Sequence, residues 1–90
     1  MIEPKIILNN ATSAIYGDRH ETHGSFRECF DLQAKLISAY LGVEVTPVDV
    51  CMIMDLVKTA RIKSGKPIKD HFVDKAGYSA LAAGVIDEDE

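Results

Sequence analysis

Apolar residues recur along this chain at helical spacing in four blocks, and none of the blocks makes a convincing strand. The first runs from Pro4 to Tyr16. Pro4 suits the first position of a helix, Ile7, Ala11, Ala14 and Ile15 make one stripe, and Gly17 stops it. Ile6-Ile7-Leu8 alone also fits a short strand, an alternative the pattern leaves open. After a polar loop from Asp18 to Gly24, Ser25-Phe-Arg-Glu28 reads as a capping box. The second helix follows to Leu41, with Phe26, Cys29, Phe30, Leu36, Ile37 and Tyr40 in its stripe, and Gly42 ends it.

Val43 to Val45 is a short link into Thr46-Pro47-Val48-Asp49, which supplies an N-cap, a proline at the first helical position and an acidic first turn. The third helix continues to Lys63 and is apolar nearly all round, through Val50, Met52, Ile53, Met54, Leu56 and Val57. A helix of that kind is expected to lie centrally, packed on several sides. Ser64-Gly65-Lys66-Pro67 is a turn, and the fourth helix spans Ile68 to Ile86. Its small residues, Ala76, Gly77, Ala80, Ala83 and Gly84 among them, allow another helix to approach closely, from the same bundle or from a second copy.

The pattern therefore predicts an all-α fold: a compact bundle of about four helices in one domain, residues 1–86, followed by an acidic tail at 87–90. With 90 residues, such a chain buries only about 60–65% of its unfolded surface, so a homodimer or a higher homo-oligomer is expected. The net charge of −4 comes largely from Asp87-Glu-Asp-Glu90, and no cluster of Lys and Arg offers itself to a nucleic-acid backbone. The longest unbroken apolar run, Val50 to Met54, is too short to span a bilayer, and Met1-Ile-Glu-Pro4 has no basic n-region or long apolar stretch. These features predict a soluble, cytoplasmic protein with neither a nucleic-acid nor a membrane partner. Cys29 and Cys51 both lie in apolar helical patterns and read as buried, reduced thiols.

The chemistry concentrates in the last third. Asp70 and Asp74 are four residues apart, on one face of a helix, where a pair of carboxylates can hold Mg²⁺. Asp70 is equally explained by the helix dipole, whereas apolar neighbours surround Asp74. Lys58 and Arg61, three residues apart, can face one phosphate, although a helix C-terminus also favours cations there. Asp55 sits in the middle of the most apolar helix and needs a partner; Lys58 is the nearest cation in sequence. Five ionisable groups fall between Gly17 and Gly24, and a substrate-facing loop with Asp18 and Arg19 ordering the turn is the preferred reading. The alternative, zinc on His20 and His23, lacks a recognised ligand spacing.

Taken together, Gly17-Asp18-Arg19, Gly24, Tyr40-Leu41-Gly42, Thr46-Pro47-x-Asp49-Val50, Lys58-x-Ala60-Arg61 and Asp70-x-x-x-Asp74-x-Ala76-Gly77-Tyr78 resemble a family of small phage and prophage proteins of unknown function. The likeness covers residues 14–83. More distantly, the chain resembles MazG-like all-α nucleoside triphosphate pyrophosphohydrolases, which bind Mg²⁺ through E-E-x-x-E and E-x-x-D motifs on adjacent helices of a bundle. Here E-E-x-x-E is missing, and only Glu28-x-x-Asp31 and Asp70-x-x-x-Asp74 stand in.

That resemblance implies a nucleoside triphosphate ligand and a possible pyrophosphohydrolase activity. Asp70 and Asp74 would serve as metal-binding and catalytic carboxylates, and Lys58, Arg61, Asp18, Arg19 and Tyr78 as substrate-binding residues. The alternative is a non-catalytic phage accessory protein that binds a host protein or sequesters a nucleotide signal.

Overall fold

Thr46 shows how local chemistry sets the helix ends. Its backbone is extended (φ −93°, ψ 164°), its hydroxyl accepts from the Asp49 N–H at 3.1 Å, and the Asp49 carboxylate accepts from the Thr46 N–H at 2.9 Å. This reciprocal box satisfies two donors that the helix itself leaves without partners. The preceding helix ends at Gly42, whose φ of +74° lies in the left-handed region that favours glycine; its N–H donates to the Ser38 carbonyl at 2.9 Å. Ser38 then holds the link, its hydroxyl accepting from the Val45 N–H at 2.8 Å and donating to the Val45 carbonyl at 3.2 Å.

The computed structural model describes residues 2–16 and 26–89, which form four helices and no strand: α1 (Pro4–Tyr16), α2 (Phe26–Leu41), α3 (Pro47–Ser64) and α4 (Lys69–Asp89). The all-α expectation is met, and Ile6-Ile7-Leu8 is helical. Helix α4 runs on to Asp89, through the first three residues expected to form the tail. The Ser25 capping box and the loop from Asp18 to Gly24 lie outside the described residues.

Helices α3 and α4 form the most extensive pairing; α1 packs on α4 and α2 on α3. The central cluster is Phe30 and Ala34 of α2, Val50 and Cys51 of α3, and Ala82 of α4. Phe30, only 3% exposed, is edge-on to Phe26 at 6.2 Å and tilted against Tyr78 at 6.5 Å, so one ring ties α2 to α4. A side chain buried to that extent contributes about 2–3 kcal/mol. On the other flank of α4, Ala76, Ala80 and Gly84 border a cleft of about 210 Å³ shared with Ala11 and Tyr16 of α1 and with Phe26. The small residues of α4 thus receive a helix of the same chain.

Two expectations are corrected. Helix α3 is not packed on all sides by its own chain: Val50 (1%) and Cys51 (0%) are buried, whereas Leu56 is 67% exposed and Met52, Ile53 and Val57 are also exposed. One chain supplies neighbours for only one side of this helix. Of the two thiols expected inside, only Cys51 is buried, and burial pushes it above its ordinary pKa; Cys29 is exposed, its sulfur accepting from Gln33 at 2.9 Å.

Candidate functional site

The seam between α3 and α4 carries two ion pairs of opposite polarity. Lys58 Nζ lies 2.9 Å from Asp74 Oδ2, and Lys75 Nζ lies 2.5 Å from Asp55 Oδ1. Moving forward on α3 from Asp55 to Lys58 means moving back on α4 from Lys75 to Asp74, as antiparallel helices require. The crossed polarity also sets the rotation of α4. A turn by one residue would break both pairs: in one direction Asp55 would face Asp74 and Lys58 would face Val73, and in the other Lys58 would face Lys75 and Asp55 would face Ala76.

Asp55 therefore does not find its partner in Lys58, as sequence proximity suggested, but in Lys75, twenty residues on. The physical reason is orientation: consecutive pairs on one helix compete with a cation delivered from the packed neighbour. Lys75 donates to Asp55 Oδ1 and, at 2.6 Å, to Thr59 Oγ1, and its ammonium lies 3.5 Å from the Asp55 carbonyl. Thr59 in turn donates its hydroxyl to that same carbonyl at 3.1 Å. Neither Lys75 nor Thr59 stood out in the sequence, because each becomes meaningful only when α4 is laid against α3.

The other pair is more open. Lys58 is 15% exposed at its side chain, but Asp74 is 40% exposed, and one cation is its partner at this seam. Arg61 is exposed one turn further along α3, in the last turn of that helix, and Asp70 is exposed in the first turn of α4. Both belong to the end of the hairpin closed by the turn after Ser64. Lys58, Arg61, Asp70 and Asp74 are thus carried by the same end of the α3–α4 hairpin, with Lys58 and Asp74 in direct contact. Tyr78, one turn beyond Asp74, is half-buried against the Phe30 ring, so most of it serves the core.

The remaining candidates sort quickly. Asp18, Arg19, His20 and His23 lie outside the described residues. Tyr16 and Phe26, which flank their loop, both border the α1–α4 cleft. Asp31, the second member of Glu28-x-x-Asp31, is engaged at 3.1 Å by Arg27 on the same helix. Among the described residues, no group of three or more His, Cys, Asp or Glu side chains is gathered as a metal site. Asp70 and Asp74 offer at most a two-carboxylate site, which suits a cation that keeps water and shares a phosphate ligand.

With this geometry in view, residues 6–86 match the profile of a domain of unknown function, DUF6378. The chain belongs to this family. It is also similar to the Gene 55 protein of Mycobacterium phage D29, 38% identical over 82 residues that cover 91% of this chain and 54% of that protein. The Gene 55 protein of Mycobacterium phage L5 is 40% identical over 76 residues, covering 83% of this chain and 49% of its own length. The chain spans about half the length of the curated relatives it matches. No solved structure matches it. The DUF6378 assignment and the phage relatives support a helical phage-type protein, and among the described residues no helix is long and apolar enough to cross a membrane.

Proposed function

We propose that this DUF6378 protein binds a nucleoside triphosphate together with Mg²⁺ at the turn end of the α3–α4 hairpin. The observation that carries the reading is the Lys58–Asp74 pair, 2.9 Å across the seam with Asp74 still 40% exposed, at the end of the hairpin that also carries exposed Arg61 and Asp70. Chemically, such a pair is ready for exchange. Asp70 and Asp74 would hold the divalent cation, and Lys58, released from Asp74, would turn with Arg61 to the phosphates. Every charge that the exchange uncovers acquires a new partner. When bound, Mg²⁺ would supply Lewis-acid polarisation of a phosphoryl oxygen and a more acidic water, which is what pyrophosphate release would need.

Binding is the core of the proposal. A second reading, capture of a nucleotide without turnover, is favoured by the same 2.9 Å contact, because Lys58 occupies a carboxylate oxygen that a catalytic metal needs. The two readings part on chelation. A thermal-shift panel of ribo- and deoxynucleoside triphosphates, run with Mg²⁺ and with EDTA, measures both. Stabilisation that requires Mg²⁺ supports the metal-bridged site and reaches about 2.7 kcal/mol at a ligand concentration 100 times Kd. Stabilisation that survives EDTA supports sequestration by the cations alone. Asp74→Asn should abolish the Mg²⁺-dependent shift with the helical circular dichroism unchanged. A panel in which no nucleotide shifts the transition sinks both readings.

A further inference from the structure

Helix α3 has a second apolar stripe that its own chain does not cover. Met52, Ile53, Leu56 and the small Ala60 are all exposed, with Leu56 the most open at 67%. On a helical wheel these four fall within about 100° of one another, opposite Val50, Met54 and Lys58, which face the core and the α4 seam. The stripe is bounded by one exposed charge at each end, Asp49 and Lys63. Asp49, Leu56 and Lys63 are seven residues apart, so all three lie on the same line along the helix.

That arrangement is self-complementary in one orientation only. Two α3 helices crossing antiparallel about a two-fold axis at Leu56 bring Asp49 opposite the partner subunit's Lys63, and Lys63 opposite the partner subunit's Asp49. Met52 then meets the partner's Ala60, a large residue against a small one, and Leu56 meets its own copy on the axis. A parallel arrangement would instead set Asp49 on Asp49 and Lys63 on Lys63 and align the helix dipoles unfavourably. We infer that the outer face of α3 is the docking surface for a second copy of this chain, antiparallel and two-fold symmetric about Leu56.

A dimer of this kind also answers the sequence pattern of α3, which is apolar on the side its chain buries and on the side it leaves open.

Sedimentation equilibrium on the full 90-residue chain tests the inference. The wild-type chain should be a dimer. Leu56→Asp, at a site too exposed to be needed for folding, should raise the dissociation constant at least about 100-fold with unchanged helicity. Lys63→Glu should raise it about tenfold. In a Cys29→Ser background, Leu56→Cys should cross-link to its own copy on mild oxidation, since Cys51 is fully buried. A monomeric wild-type chain overturns the inference, as does a dimer that Leu56→Asp leaves intact. A dimer broken by Leu56→Asp but indifferent to Lys63→Glu overturns the antiparallel arrangement.

Discussion

The two ion pairs that cross the α3–α4 seam use the same residue types and differ in how fully they are closed. Around Lys75, the Asp55 carboxylate, the Thr59 hydroxyl and the Asp55 carbonyl all converge on one ammonium, and both side chains of the pair are about equally covered, 30% and 29% exposed. Around Lys58 one polar contact is made among the described residues, to an Asp74 that keeps 40% of its side chain in solvent. A closed network of this kind has little reason to exchange partners. In the other pair it is Asp74 that is open to a second cation, whereas Lys58, at 15% exposed the most covered of the four side chains, needs a new partner when it is displaced. On the proposed function, Asp55–Lys75 serves structure and Lys58–Asp74 serves ligand binding.

The largest expected effect falls on the closed network. Lys75→Met keeps most of the length of the side chain but leaves the Asp55 carboxylate and the Thr59 hydroxyl without their shared donor. It should cost about 1–3 kcal/mol, read from the midpoint of urea unfolding, while nucleotide affinity stays unchanged. Equal loss of both would break the division of labour. Asp74→Asn comes next and should cost less than about 1 kcal/mol, since its partner Lys58 can turn towards solvent-borne counterions. Its effect on Mg²⁺-dependent binding should be far larger than its effect on stability. The smallest effect belongs to Arg61→Gln, an exposed position, where stability should stay within about 0.5 kcal/mol. Triphosphate affinity, followed by calorimetric titration, should still fall. An Arg61→Gln variant that binds as tightly as the wild type would place the phosphates elsewhere.

Much of the candidate site was legible in the sequence because its members are local repeats. Lys58 and Arg61 share a turn of α3, and Asp70 and Asp74 share a turn of α4. Their spacing alone predicts that each pair lies on one face. That Lys58 would meet Asp74 was not legible, because the contact spans two helices and depends on the rotation of each. The same limit misdirected Asp55. Lys58 is three residues away along the chain, but Lys75, twenty residues away, arrives from the facing helix in a better position. Cys29 illustrates a related limit. It sits at helical spacing with Phe26 and Phe30, yet the stripe on α2 is wider than the surface α3 and α4 cover, and the thiol is left outside.

By itself, the sequence determined where this chain is helical and where α2 ends and α3 begins, although it ended α4 at Ile86, three residues short of Asp89. Hydrophobic period, the Thr46–Asp49 box and the left-handed Gly42 act within a few residues and need no tertiary partner. It also determined that α3 is apolar on more than one side. Only the tertiary structure decided which of those sides its own chain buries, and which acid meets which base across the seam. Those outcomes rest on how four helices are rotated and apportioned around one small core, and such rotations are set by long-range packing that no local pattern encodes.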